Sequence, residues 1–111
     1  MKSREGNVYT IVIVGGCTES SYFSSSTEIL SVEENKWLKG PDLPIVVCSA
    51  SCVVLPYHER YSCLLIGGRS TEGTEDYISD SIYALENDLK RWTLVGHLKE
   101  PRCGHSVTLI E

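Results

Sequence analysis

The side chains that could do metal, acid–base or nucleophilic chemistry form no recognised arrangement in this 111-residue chain. Its three histidines, His58, His97 and His105, do not have the spacing of metal ligands, and no carboxylate or cysteine is arranged around them as in a known metal site. The serine run at residues 24–26 has no neighbouring base that would activate a hydroxyl group. The sequence therefore predicts no catalytic residue, no metal ligand and no cofactor, and so no enzyme.

The five cysteines favour a reducing compartment, because their number is odd and no Cys-x-x-Cys pair occurs. Cys48 and Cys52 share a face of one predicted strand, but residues i and i+4 of a strand are too far apart to form a disulfide. Most of the cysteines are predicted to be small buried apolar residues. Cys17 and Cys103 lie at strand edges and are the better candidates for reactive thiols.

The chain repeats its own pattern at a period of 52 to 55 residues. The apolar run that ends at Gly15-Gly16 returns before Gly67-Gly68, 52 positions later, and Trp37 returns as Trp92, 55 positions later. A three-residue insertion after the second Gly-Gly pair accounts for the difference. Repeats of this length are typical of supersecondary units that bury their apolar faces against each other. Function is then expected on a surface of the repeat array.

Each repeat unit has the pattern of short β-strands separated by turns, and no segment has a 3.6-residue apolar period. The sequence predicts an all-β chain with eight strands. They are residues 8–14, 27–32, 36–38, 48–55, 61–66, 81–86, a short strand around Trp92, and residues 104–110. Both Gly-Gly pairs end apolar strands and do not open a helix, which does not favour a phosphate-binding loop. Residues 17–26 and 69–80, which follow them, are predicted to be loops.

Composition excludes several classes of partner. The net charge of −5 argues against binding to nucleic acid or to an anionic membrane surface and leaves room for a basic protein partner. A hydrophobic content of 41% is enough for a packed core. No apolar run approaches the roughly 20 residues that span a bilayer, and the N-terminal residues do not have the pattern of a secretory signal.

The spacing of the repeated residues resembles the kelch repeat, the unit of one family of β-propellers. The first unit matches the family pattern at Gly15-Gly16, Trp37 and Leu43-Pro44, and the second at Gly67-Gly68 and Trp92. The second unit also matches at Leu98 and at residues 101–106, which resemble the family's Arg-x-Gly-His strand start. The resemblance covers residues 8 to 110 and departs from the family at residues 47–50, where the first unit lacks this motif.

The resemblance implies structural roles for the repeated glycines and tryptophans. The glycines would allow positive φ where a strand turns near the propeller axis, and each tryptophan would pack between neighbouring blades. These structural residues are Gly15, Gly16, Trp37, Gly67, Gly68 and Trp92. The family's motif histidine is His105 here, for which we expect a structural hydrogen bond.

The strand order of a kelch blade, a to d from axis to rim, implies an incomplete ring. Within a kelch-repeat region of residues 1–111, residues 8–43 would be a first repeat with strands b, c and d. Residues 44–98 would be a second repeat with strands a to d, and residues 99–111 strand a of a following repeat. Two blades cannot close a propeller, which typically has 4 to 8. The alternatives are that the chain is part of a longer propeller, that copies assemble head to tail, for example three chains in a six-bladed ring, or that two blades form a stable monomer.

The b–c and d–a loops of a blade emerge at the same end, and loops on a rigid scaffold often carry binding residues. These loops hold aromatic, arginine and acidic residues that we expect to be exposed. Aromatic residues and arginine are the types that often anchor interfaces. The predicted partner-binding residues are Tyr22, Phe23, Arg69, Glu72, Glu75, Asp76, Tyr77 and Arg102, with Asp80 beside them.

The resemblance implies a protein–protein interaction module that recognises a peptide or protein surface. Kelch domains most like this one belong to cytoplasmic adaptors that carry a BTB domain and bring substrates to cullin-type ubiquitin ligases. That domain is not in the 111 residues, so the adaptor role is an expectation from the family alone. The alternatives are a cytoskeletal, actin-associated kelch protein and a part of a propeller oxidase or lyase whose active site lies in other blades.

Overall fold

The computed structural model describes residues 10–17, 19 and 23–110, which form nine β-strands and no helix. The strands are β1 (Thr10–Val14), β2 (Thr27–Ser31), β3 (Lys36–Lys39), β4 (Ser51–Val54), β5 (Tyr61–Ile66), β6 (Arg69–Glu72), β7 (Glu75–Ile78), β8 (Ser81–Glu86) and β9 (Trp92–His97). The prediction of an all-β chain is confirmed.

The strands form two antiparallel sheets and one hairpin. The first sheet has the order β1-β2-β3, the second has the order β4-β5-β8-β9, and β6 pairs with β7. The second sheet therefore has the four strands a, b, c and d of a blade. In the described part of the chain, the first sheet has only strands b, c and d, and one edge of β1 has no neighbouring strand.

The two sheets are copies of one unit, as their loop hydrogen bonds show. Gly16 N–H donates to Val47 O at 2.8 Å, and the equivalent Gly68 N–H donates to Arg102 O at 2.7 Å. The repeat continues in the bonds Leu43 N–H to Ser25 O and Leu98 N–H to Asp80 O, at 2.8 and 2.6 Å. The 52- and 55-residue offsets of the sequence thus relate equivalent backbone positions.

The core lies where the second sheet packs against the first. Its buried side chains are Leu43, Val47, Cys63, Leu65, Tyr83, Leu85 and Trp92. Val12 and Val14 of β1 pack against this cluster, whereas Ile11 and Ile13 are 46% and 47% exposed on the opposite face of the same strand. The alternation follows from the two-residue period of a strand, and it shows that the first sheet has one covered and one open face.

Residues 69–80, predicted to be a loop, contain the β6–β7 hairpin. Four pairs join the two strands, from Arg69↔Ile78 to Glu72↔Glu75, across the two-residue turn Gly73-Thr74. Gly73 has φ 64°, which suits the first position of such a turn. The prediction was wrong because the segment is too polar to show apolar alternation, although its turn signal was present.

Residues 104–110, predicted to be the last strand, are not paired in a sheet. The segment starts beside β4, where Gly104 N–H donates to Ser49 O at 3.0 Å and Ser51 Oγ donates to His105 O. A β-strand is defined by a ladder of hydrogen bonds to a neighbour, and no described residue offers residues 106–110 such a neighbour. Residues 104–110 therefore do not form a paired strand within the single chain, and their assignment to strand a of a following repeat stays a prediction.

Candidate functional site

The b–c loops and the d–a connections of both blades meet at one end of the structure. Within each blade the d–a connection bonds to the b–c loop, through Val47 N–H to Ser24 O at 2.9 Å and through Arg102 N–H to Ser79 O at 3.3 Å. Cys48, where the first d–a connection enters the second blade, and Arg69 of the same blade exchange both backbone hydrogen bonds, at 2.9 and 2.7 Å. The four connections are thus held together by backbone contacts, and we refer to this surface as the loop end.

The β6–β7 hairpin is anchored to the loop end by a serine that the sequence analysis did not single out. Ser70 is fully buried, and its Oγ donates to Val46 O in the d–a connection of the first blade at 2.6 Å. A buried hydroxyl group costs free energy unless it is hydrogen-bonded, so this bond helps to fix the base of the hairpin. The sequence gave no indication that Ser70 is buried, because a small polar side chain in a serine-rich sequence does not stand out.

Most of the predicted binding residues lie on or beside this hairpin and are exposed. Tyr77 is 40% exposed, and Arg69 pairs with Asp76 at 3.5 Å in the same hairpin. The tip carries Glu72 and Glu75, directly opposite each other in the strand register. The structure therefore brings a tyrosine and an acidic cluster together on one hairpin.

The remaining predicted residues lie around the base of the loop end. Arg102 is exposed and 3.8 Å from Glu100, and Asp80 lies 3.1 Å from His97 Nδ1. Phe23 is half-buried. The prediction for Tyr22 falls outside the described residues.

The repeated glycines have the backbone geometry that the loop end requires. Gly15, Gly16, Gly67 and Gly68 have φ values of 70°, 93°, 70° and 104°. A methyl group on Gly15 would lie 2.7 Å from both Cγ1 and O of Val47, and one on Gly68 would lie 2.6 Å from Val47 Cγ2. At Gly15 and Gly68 only glycine fits without displacing the neighbouring connection, whereas at Gly16, where a methyl group meets no atom within 4 Å, only the positive φ favours glycine.

The two tryptophans differ in their surroundings. Trp92 is 7% exposed, and its Nε1–H donates to Oγ1 of the buried Thr27 in the first blade at 3.0 Å. Trp37, its equivalent, is 51% exposed. Trp92 therefore joins the two blades, whereas Trp37 lies on the open face of the first blade.

The histidines take part in local hydrogen bonds. His105 Nε2 is 2.9 Å from Ile66 O, at the end of strand b of the second blade. His58 Nδ1 accepts the N–H groups of Arg60 and Tyr61 and so closes the turn between β4 and β5. Among residues 10–17, 19 and 23–110, no group of three or more His, Cys, Asp or Glu side chains could hold a metal ion. No helix in this part of the chain is long and apolar enough to cross a membrane.

A pair of thiols that the sequence did not reveal lies between strands a and b of the second blade. Cys52 faces Leu65 in the β4–β5 register, which places it diagonally across from Cys63. The hydrogen bond from the Cys63 thiol lowers the pKa of Cys52, although partial desolvation of the Cys52 thiol acts against this shift. The same hydrogen bond, with burial and the Cys52 charge, raises the pKa of Cys63 far above the usual thiol range.

The thiol pair predicts selective alkylation. Because its pKa is lowered and its side chain is exposed, Cys52 should react with iodoacetamide at a lower pH than an ordinary thiol, whereas the buried Cys63 should react only on unfolding. Cys63→Ala should shift the pH profile of Cys52 upward. The measurement is peptide mass spectrometry after timed alkylation between pH 6 and 9. An unchanged Cys52 profile in Cys63→Ala would contradict the assignment, and Cys103→Ser serves as the control.

The comparison with protein families agrees with this architecture. Residues 9–44 match the family model of the kelch motif, a span that contains the first Gly-Gly pair and Trp37. No curated protein matches the chain. The two hydrogen-bonded repeats, the glycine turns and the interblade tryptophan are the features of a partial β-propeller. Together with the repeated blade structure, the match of residues 9–44 to the kelch motif supports a kelch-repeat family for the chain.

Proposed function

We propose that the chain is a protein–protein interaction module that binds a peptide or protein surface through its loop end. Kelch domains generally bind protein partners, and the kelch motif suggests such a module here. The observation that carries the proposal is the β6–β7 hairpin, which holds the exposed Tyr77 on an element fixed by Ser70 and by the Cys48–Arg69 bridge. A rigid element binds at a lower entropic cost than a flexible loop.

The charge of the hairpin favours a basic partner. Glu72 and Glu75 lie directly opposite each other, and like charges in this position destabilise a strand pair. The negative charge of Asp76 is compensated by Arg69, which lies 3.5 Å away. The two glutamates have no ion-pair partner among the described residues. A lysine or arginine bound between them would relieve this repulsion, so a partner with basic residues gains affinity at the tip.

We further propose the setting of a substrate adaptor, in which a separate BTB domain would connect the bound protein to a cullin-type ubiquitin ligase in the cytoplasm. This part of the proposal rests on the family resemblance. The proposed role is non-enzymatic, since the loop end would act by binding alone. The closed propeller ring that carries the loop end would be completed either by further blades or by further copies of the chain.

Selection of peptides from a random displayed library against the folded chain tests the proposed function. We expect the selected peptides to be enriched in lysine and arginine, because the hairpin tip is acidic. Tyr77→Ala should weaken binding of a selected peptide about tenfold or more, as expected for a central aromatic anchor. Fluorescence anisotropy with the labelled peptide measures the change in Kd.

The matched control is Tyr57→Ala. Tyr57 is 77% exposed and lies in the turn between β4 and β5, at the end opposite to the loop end. Its replacement should leave the Kd unchanged. Equal losses in both variants, or peptides that bind both as tightly as the wild-type chain, would exclude the hairpin as the binding element.

A further inference from the structure

The first blade has a groove where a strand is missing. β1 pairs with β2 on one side, and on its other side no described residue forms a strand. A cavity runs along this open edge and is lined by Val12, Val14 and Gly16 of the first blade and by Cys48, Ser49 and Ala50 of the second. This is the place that strand a occupies in a complete blade.

The second blade shows which residues would fill such a groove. There β4 pairs with β5 in the register Ser51↔Ile66, Cys52↔Leu65, Val53↔Leu64 and Val54↔Cys63. The equivalent pairs in the first blade follow from the repeat offsets: 55 is added to each strand-a residue number and 52 is subtracted from each strand-b number. They are Ser106↔Val14, Val107↔Ile13, Thr108↔Val12 and Leu109↔Ile11. The segment that would fill the groove is thus residues 104–110, which are described and are not paired in a sheet.

The chain does not pair this segment with its own β1, because residues 104–110 begin beside β4 of the second blade, where Gly104 N–H bonds to Ser49 O. A second copy has no such restriction. We propose that residues 104–110 of one copy add to β1 of the next as its missing strand a, so that copies assemble head to tail into a closed propeller.

Side chains on both partners fit this register. Val107 and Leu109 would lie opposite Ile13 and Ile11, which gives apolar cross-strand pairs of the kind that stabilise sheets. Leu109 is 40% exposed and Ile110 87% exposed in the single chain. Ser106 is the repeat equivalent of Ser51, whose Oγ donates to the backbone of the following blade at His105 O, so the same bond can form between copies.

The open face beside the groove also matches the second copy. Trp92 covers Thr27 of the preceding blade, and the equivalent contact between copies is Trp37 on Ile82. Trp37 is 51% exposed and would become buried, together with Ile11 and Ile13. Exposed apolar side chains in one continuous region are typical of an interface, and here the complementary surface belongs to the same chain.

The register makes a specific prediction for two cysteines. Cys48 and Arg69 form a hydrogen-bonded pair in the second blade, and their repeat equivalents are Cys103 and Cys17. The Cα atoms of such a pair lie about 5.5 Å apart, within the range that a disulfide spans. Cys17 of one copy and Cys103 of the next should therefore form a disulfide when diamide takes up the two thiol hydrogens.

The first experiment is the absolute mass of the 12.3 kDa chain by light scattering after size exclusion. Because propellers have 4 to 8 blades, we expect a discrete species of two, three or four copies. Diamide should then give covalent oligomers that disappear in Cys17→Ser and in Cys103→Ser but persist in Cys48→Ser. Peptide mass spectrometry should identify the Cys17–Cys103 link.

A pair of proline variants separates strand addition from unspecific association. Leu55 N–H donates to Ser62 O in the second blade, so by the two-residue period Val53 and its equivalent Thr108 also point their N–H groups at strand b. Thr108→Pro removes this donor and should dissociate the oligomer to monomers. The N–H group of Val107 points away from strand b, and Val107→Pro should retain more of the oligomer.

The proposal is overturned by a monomeric wild-type chain, and further blades of a longer polypeptide would then be the partner of β1. It is also overturned by an open-ended series of masses, by an oligomer that persists in Thr108→Pro, or by oligomers without the Cys17–Cys103 link. Circular dichroism of Thr108→Pro confirms that the blades remain folded. Residues 106–110 pair with no strand in the single chain, so this variant should fold like the wild type.

Discussion

Replacing Trp92 with alanine should lower the free energy of unfolding by about 3–5 kcal/mol, the usual cost of removing a buried tryptophan side chain. Trp92 is 7% exposed and packs with Leu85 and Tyr83 in the core between the blades. Its indole N–H group also bonds to Thr27 Oγ1 at 3.0 Å. A small domain has a total stability of roughly 5–15 kcal/mol, so the loss is a large fraction of it. Urea unfolding followed by circular dichroism measures the change.

Trp37→Ala is the matched control, because Trp37 is the repeat equivalent and is 51% exposed. In the Thr108→Pro background, where we expect a monomer, it should cost less than about 1 kcal/mol. In the wild-type background it should weaken the head-to-tail oligomer. Equal losses of stability for both tryptophans in the monomer would contradict the assignment of Trp92 as the interblade contact.

Thr27→Val separates the hydrogen bond from the packing at the same site. Thr27 is fully buried, and the two side chains have similar shapes. Because the indole N–H group would lose its acceptor, we expect a cost of about 1–3 kcal/mol, the range for leaving one buried partner unsatisfied. The remainder of the Trp92→Ala loss then reports the apolar contact between the blades.

The blade architecture could be predicted because its determinants repeat in the sequence. The Gly-Gly turns at residues 15–16 and 67–68 and the two tryptophans recur at fixed offsets, and the structure places equivalent hydrogen bonds at the same offsets. The apolar strand β5 was predicted with its observed bounds, Tyr61–Ile66. Continuous apolar runs and glycines with positive φ are local signals, so they are readable without knowledge of tertiary contacts.

The β6–β7 hairpin and residues 104–110 show where local signals are insufficient. The hairpin is polar along both strands, and its stability depends on the buried Ser70 bond to Val46 O, a contact 24 residues away in sequence. Residues 104–110 have strand-like composition, but a strand also needs a hydrogen-bonded neighbour. Composition reveals the tendency of a segment, whereas the availability of its partner is a property of the whole assembly.

The candidate site was predictable in its location and less so in its details. The blade order predicts that b–c and d–a loops share one end, and the bonds from Val47 to Ser24 and from Arg102 to Ser79 place them there. The opposed pair of Glu72 and Glu75 and the Cys52–Cys63 thiol pair both depend on strand register. Register is set by cross-strand packing and turn geometry, which a single sequence does not display.

Gly67→Ala should lower the free energy of unfolding by roughly 2–5 kcal/mol through two effects. A φ of 70° costs an L-residue about 1–2 kcal/mol relative to glycine. In addition, the new methyl group would lie 2.5 Å from Arg102 O and 2.7 Å from His105 Cε1, and overpacking of this kind typically costs about 1–3 kcal/mol. Arg102 cannot move away freely, since its N–H and C=O groups bond to Ser79 and Gly68. Urea unfolding measures the loss.

Gly73→Ala isolates the backbone effect from the steric one. Gly73 has nearly the same φ, 64°, but no atom lies within 4 Å of a methyl group built on it. Its replacement should therefore cost only the 1–2 kcal/mol or so of the left-handed conformation, and the excess loss in Gly67→Ala measures the close approach of the d–a connection to strand b. Equal losses in Gly67→Ala and Gly73→Ala would show that the d–a connection moves aside for the methyl group. Gly67 would then be required only for its backbone conformation.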